Sequence, residues 1–276
     1  MSSRIDLPQE MIKEVIDNIS DRTDLEACSL VSRSWTYPTR KPLFHHVCIY
    51  PEKANDWLSR PLESTQRMAP HIVKFELSVH RTSAPGIPPF RWEGSGGLLA
   101  RLISSLTNSP IKWLRIRSFG IEGFNKTTLE QCFEPISRSL CSLVLDDLVA
   151  CPDATRYLIS LFPNLDNLRT GNALSTSTQL ASGWVGCGIK HLPRLSGVLL
   201  FYSAASPGGA ELLESVVSLS PRFRAIFPVE VISSNWGAMG GLLEACAETL
   251  QSVPLVSWGL YVGMCCGQSL RSVRRC

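Results

Sequence analysis

From Met11 to Ile19 the apolar residues Met11, Ile12, Val15, Ile16 and Ile19 alternate with Lys13, Glu14, Asp17 and Asn18. Their spacing predicts a short amphipathic helix with one apolar stripe. Asp6 can cap it, Pro8 suits a first turn that needs no amide donor, and Glu10 favours the positive end of the helix dipole. A polar break at Asp21–Asp24, with Thr23 or Asp24 as the next cap, leads to Leu25, Cys28, Val31 and Trp35 at three- to four-residue spacing, a second helix. Pro38 and Pro42 punctuate the next stretch and leave the pair Leu43-Phe44 before a strand-like Val47-Cys48-Ile49-Tyr50. Three short helices in so few residues bury little apolar area by themselves, so the module is expected to dock on something.

Beyond this module, Trp57, Leu58, Leu62 and Met68 predict one or two short linking helices within 50–70, and residues 71–79 alternate apolar and polar as a half-buried strand does. Residues 81–97 are rich in Pro, Gly and Ser and predict a loop, in which Trp92 is either a packing or a binding aromatic. A helix-break-strand unit then recurs. Leu98 to Leu106 precedes a strand at 111–116, Leu129 to Ile136 one at 140–145, and Ala154 to Leu161 one at 165–168. Leu192 to Leu200 supplies another strand, Ala210 to Leu219 precedes one at 223–226, and Leu242 to Leu250 one at 253–256. Strand centres lie roughly 24 to 39 residues apart, looser than the 20 to 29 of leucine-rich repeats. Such units cannot bury their apolar sides alone, so stacking them into a parallel sheet gives one continuous core. A compact α/β domain is the other architecture this alternation allows. The segment 257–276 has no strand-helix alternation and is left unassigned; its Arg271, Arg274 and Arg275 read as a solvated basic end.

Residues 4–49 resemble an F-box of the kind common in fungal proteins. The resemblance is carried by Leu7-Pro8 with Glu10, by Ile12, Val15, Ile16 and Ile19, by Asp24-Leu25 with the run Cys28 to Trp35, and by the closing Leu43-Phe44. It implies an all-α three-helix module that binds a Skp-family adaptor, and through it a cullin ubiquitin ligase, with Leu7, Pro8, Ile12, Ile16, Leu25, Val31 and Trp35 as adaptor-binding positions. In that motif some of these residues form the module's own core and only some touch the partner. The body over 71–256 resembles the irregular leucine-rich repeats that often come after an F-box, although the asparagine usual in such repeats is absent. The expected architecture is thus α/β overall, a helical module followed by an irregular leucine-rich-repeat-like α/β solenoid. Its outward strand residues Lys112, Arg115, Arg117, Ser142 and Asp146 would face a target protein if the leucines point inward.

Composition narrows the partners further. With 44% hydrophobic and 18% charged residues, and a mean hydropathy of +0.07, the 276-residue chain is expected to fold throughout. Its 27 basic and 24 acidic residues form no long run of one sign, which points away from nucleic acid. No secretory signal or membrane-length apolar window is visible, so a cytoplasmic or nuclear protein is expected. The 10 cysteines, without a CxxC pair, read as reduced buried thiols, and the sequons at Asn18 and Asn125 carry no meaning in such a compartment.

No phosphate-binding loop, GxSxG, HExxH or GxGxxG motif occurs, so neither catalysis, a cofactor nor a metal is expected. The five histidines, including the adjacent His45 and His46, read as surface or capping residues. Glu130, Glu134, Asp146, Asp147 and Asp153 form a mildly acidic stretch that reads as solvated. Three functions are compatible with these patterns: a substrate-receptor subunit, a scaffold using the same helical module, and an enzyme with a cysteine nucleophile.

Overall fold

The computed structural model describes residues 7–60, 62–78, 96–117, 121, 124–146, 148–171, 173–175, 184, 188–201, 209–228 and 236–253. The Asp6 cap, the loop with Trp92, most of the strand at 253–256 and the segment 257–276 lie outside them. Among the described residues ten α-helices accompany a seven-stranded parallel sheet and a two-stranded one, an α/β architecture.

Three helices open the chain: α1 (Gln9–Asp17), α2 (Arg22–Val31) and α3 (Arg33–His45). Asp21, rather than Thr23 or Asp24, caps α2, accepting from the amides of Thr23 at 2.7 Å and Asp24 at 3.2 Å. These bonds favour the carboxylate and hold the Asp21 pKa below its ordinary value.

The expected break at Pro38 and Pro42 is not there, and α3 runs through both prolines. A proline at 38 cannot donate to the Ser34 carbonyl one turn back. Gln9 Nε2 donates to that carbonyl instead, at 3.3 Å, which also ties the start of α1 to the start of α3. The buried Thr39 stays inside the same helix by donating to the carbonyls of Trp35 and Thr36, both at 2.9 Å.

The sheet begins inside the span that the sequence pattern assigns to the N-terminal module. Strand β1 (His46–Ile49) comes directly after α3 and pairs with β2 (Lys74–Leu77). Next come β3 (Trp113–Arg117), β4 (Ser142–Asp146), β6 (Asn167–Thr170), β8 (Val198–Phe201) and β9 (Ala225–Pro228), each parallel to its predecessor in that order. Two further strands, β5 (Leu148–Ala150) and β7 (Ala173–Ser175), which the pattern did not predict, pair in a separate sheet. Ser252 bridges to Ala225 beyond β9.

The connections hold α4 (Pro51–Leu58), α5 (Leu62–Met68), α6 (Gly96–Ser104), α7 (Lys126–Ser137), α8 (Pro152–Ser160), α9 (Gly209–Val217) and α10 (Trp236–Ala245). These pack side by side, α4 on α6, α6 on α7, α8 on α9 and α9 on α10.

Alternation along the strands sorts the sheet into two faces. Val47, Phe75, Leu114, Leu143, Leu168, Leu199 and Ile226 lie in register across all seven strands, and every one is buried in the main core with Leu102, Ile103, Phe133 and Leu213 from the helices. Ala54, Trp57 and Met68 join that core, so the helices expected as a linker at 50–70 are part of the body. Two asparagine contacts stitch the units together: Asn164 Nδ2 donates to the Arg138 carbonyl at 2.7 Å, and Asn167 Oδ1 accepts from the Val198 amide at 2.8 Å. The second core is small: Ile12, Ile16, Leu25 and Leu43 are buried, with Ile19, Cys28, Trp35 and Phe44 packed around them. Phe44 touches both cores.

Candidate functional site

Two surfaces carry unusual side chains. The first is on the helical module. The single stripe expected on α1 divides: Ile12 and Ile16 are each 1% exposed in the small core, while Met11 and Val15, one residue earlier in each turn, are 52% and 44% exposed. Leu7 continues the outer row at the same four-residue spacing and is 41% exposed. At the end of α2, Leu30 and Val31 are 85% and 65% exposed. The bond from Gln9 to Ser34 draws Leu7 and Pro8 toward that α2–α3 junction. Scattered exposed apolar residues are ordinary, but these five, with Tyr37 besides, leave so small a module with apolar surface that water covers at a cost.

This placement revises the adaptor-binding assignments. Ile12, Ile16 and Leu25 are inside, so they shape the module and have no surface to offer; Trp35 is half-buried against the same core. Leu7, Pro8 and Val31 are exposed. Met11, Val15 and Leu30 are exposed as well, which the pattern did not mark, because periodicity gives the width of an apolar stripe and not which edge of it faces in.

The second surface is the sheet face opposite the leucine rows. Cys48, Glu76, Arg115, Val144, Arg169, Leu200 and Phe227 form one register row across it. Arg115 Nε donates to Asp146 Oδ2 at 2.8 Å and Arg117 Nε lies 3.1 Å from Glu76 Oε1. Arg115 Nη1 approaches Glu76 at 3.9 Å, Arg117 Nε approaches Asp146 at 3.9 Å, and His46 Nε2 is 3.5 Å from Glu76. Two guanidinium groups and two carboxylates thus neutralise one another across β2, β3 and β4, with 9% to 33% of each side chain accessible. Asp146 sits so close to the neighbouring unit that a Cβ on Gly171 would fall 2.8 Å from its Oδ1.

Of the residues assigned to target binding, Arg115, Arg117 and Asp146 come together but are committed to these pairs. Ser142 lies beside Trp113 in register, and Lys112 stands exposed just before β3. Glu76, the carboxylate that joins the network, sits in a strand predicted correctly, but nothing in its local pattern marks it as a partner of residues 39 and 41 positions away.

Three residues of the acidic stretch expected to be solvated are paired instead. Glu130 accepts from the Tyr157 hydroxyl and pairs with Lys190 at 3.3 Å, which lowers its pKa chiefly through the tyrosine bond, while Asp153 pairs with Arg156 and Asp146 belongs to the sheet face. Among the described residues no group of histidine, cysteine or carboxylate side chains could hold a metal. Cys132, Cys151 and Cys246 are buried, and burial pushes the Cys132 and Cys246 thiols up. No helix of the described residues is long and apolar enough to cross a membrane. No family model matches the chain, and no curated protein matches it.

Proposed function

We propose that the chain is the substrate-recognition subunit of a Skp-cullin-F-box type ubiquitin ligase, acting in the cytoplasm or nucleus. Residues 4–49 hold the Skp-family adaptor, and the body presents a target protein. The observation that carries this reading is the outer face of the module: Leu7, Met11, Val15, Leu30 and Val31 are exposed beside a core of only four buried side chains. Burying a large apolar side chain contributes about 1.5–3 kcal/mol, so a partner covering several of them gains enough to bind tightly. The order of the strands supports the finer reading of the body as an irregular leucine-rich-repeat solenoid, since each main-sheet strand pairs with the next one along the chain and all run parallel. The subunit does no bond chemistry itself; its effect is to bring a target to the ligase.

The test is pull-down of the purified chain with a Skp-family adaptor. Wild type is compared with Leu30→Asp/Val31→Asp and Leu7→Asp/Pro8→Ala, whose altered side chains are exposed and leave the core intact. Binding lost in both variants supports the reading. Failure of well-folded wild type to bind removes it and leaves a scaffold protein. An alkylation profile revealing one hyper-reactive cysteine would instead favour an enzyme with a thiol nucleophile.

A further inference from the structure

Six basic side chains that are dispersed along the sequence meet where the helical module joins the sheet. Arg40 and Lys41 project from the last turns of α3, His45 ends that helix, His71 ends the 3₁₀ turn Ala69–His71, Lys74 opens β2 and Lys112 precedes β3. The backbone fixes their proximity. The Val73 amide donates to the His45 carbonyl at 3.1 Å, and the Lys112 amide donates to the Val73 carbonyl at 2.9 Å. Lys41, Lys74 and Lys112 are exposed, and Arg40, His45 and His71 are half-buried.

Cations without a carboxylate partner also occur elsewhere among the described residues, Lys13 and Arg101 for example; here four of them come together with two histidines. Arg22, Lys53, Arg115, Arg117, Arg156 and Lys190 all have a carboxylate within 4.0 Å. Arg40, Lys41, Lys74 and Lys112 have none among the described residues. The nearest acidic group on the sheet, Glu76, is shared by His46, Arg115 and Arg117. The histidines report the crowding: burial lowers the His45 pKa first and Lys74, His46 and Lys41 lower it further, while His71 is lowered by burial and then by Arg40 and Lys41. Cations near the C-terminus of α3 compensate that helix's dipole, but Lys74 and Lys112 are on other elements and are not explained by it. Aromatic rings flank the corner. Tyr37, 71% exposed, meets His71 edge to face at 6.3 Å, and Trp113 meets His46 at 5.7 Å.

We propose that this corner, Arg40, Lys41, Lys74 and Lys112 with His45 and His71 between them, binds an acidic segment of a partner protein through a short run of carboxylates or phosphates. The inference goes beyond the proposed function and does not rest on the adaptor reading. Along the sheet the patch reaches only from the end of α3 to the start of β3, about two strand spacings or roughly 10 Å. That length suits a few anionic side chains of a peptide, whereas nucleic acid is tracked by a longer basic groove. Complementary charge of this kind sets association rate and orientation, and salt screens it.

The test uses the full chain and fluorescence anisotropy. Labelled peptides carry a run of Glu and Asp, a run of phosphoserine, or Gln and Asn at the same positions; a labelled oligo-dT serves as the nucleic-acid competitor. Saturable binding of the Glu/Asp or the phosphoserine peptide is expected, and the stronger of the two identifies the anion. Lys41→Glu/Lys74→Glu should weaken it roughly 10-fold or more. Lys13→Glu/Arg101→Glu, the same change of net charge at exposed sites elsewhere, should leave it within about two-fold. Binding should also fall as salt rises from about 0.15 M to about 1 M, over which the screening length drops from about 8 to about 3 Å. Equal loss in the two double variants, no preference over the Gln/Asn peptide, or tighter binding of oligo-dT would each overturn the proposal. Circular dichroism of each variant checks that the fold is kept.

Discussion

Truncating Ile12 and Leu30 to alanine, one at a time, should separate what holds the helical module together from what it offers outward. Ile12 is 1% exposed in a core with three other buried side chains, Ile16, Leu25 and Leu43. Alanine there removes three buried carbons, worth about 0.8 kcal/mol each, and leaves a cavity that so small a core can only partly close; the expected cost is about 2–4 kcal/mol. Leu30 is 85% exposed, and its truncation should change stability by less than about 0.5 kcal/mol. Native-state hydrogen exchange on the amides of 9–45 reads the module by itself, which a global melt does not, so it is the measurement. Under the proposed function adaptor affinity should respond differently: Leu30→Ala would remove contact area directly, worth about 1–2 kcal/mol, or roughly 5- to 30-fold. Comparable destabilisation of the module by both changes would refute the division of α1 and α2 into an inner and an outer row.

Other consequences can be read with simpler assays. Gly171→Ala places a methyl 2.8 Å from Asp146 Oδ1 and 3.2 Å from Asp146 Cα, an atom that cannot swing away; a loss of about 1–3 kcal/mol in urea unfolding is expected. The amides capped by Asp21 lower its pKa in the folded chain. Its stabilising contribution is therefore complete above the ordinary Asp value of about 3.9 and disappears as pH falls below it through the lowered folded value. Exchange of the α2 amides should rise over that acid range in wild type and not in Asp21→Asn, which keeps a capping oxygen that does not titrate. His45 titrates low because burial and Lys74 both oppose its charge. Its stabilising contribution is full above the ordinary His value of about 6.5 and is lost as pH drops through the folded value. Lys74→Gln should move its NMR titration midpoint upward; an unmoved midpoint would show that Lys74 does not contribute to the field in that corner.

The sequence pattern located the elements better than it located their contacts. Leu114 with Ile116 identifies β3, and Leu143 with Leu145 identifies β4, because alternating apolar residues have to enter a core. In α1 the same logic finds the helix but not its orientation, since Met11-Ile12 and Val15-Ile16 are adjacent apolar pairs and either member could be the buried one. At α3 the breaker rule misleads: the carbonyl that Pro38 leaves without a helical donor is served by Gln9, 25 residues away at the nearest point of contact with Ser34. Long-range charge is harder still to read. Glu76 meets Arg115 and Arg117 only because β2 pairs with β3 in one register, and Lys41, Lys74 and Lys112 become neighbours only after α3, β2 and β3 are assembled. Spacing of roughly 30 to 40 residues hides such a cluster from any scan for charge runs.

The direct passage from α3 into β1 governs how the two ends of the molecule communicate. With His45 closing the helix and His46 opening the strand, no residue is left over to act as a swivel. Phe44 is packed against both cores, and the His45 carbonyl is occupied by the Val73 amide. The junction behaves as a strut rather than a tether: turning the module against the sheet would require breaking packed and hydrogen-bonded contacts together. A partner seated on the outer row of α1 and another seated on the sheet would accordingly be held at a set distance and angle, which makes the fold a ruler between its two neighbours.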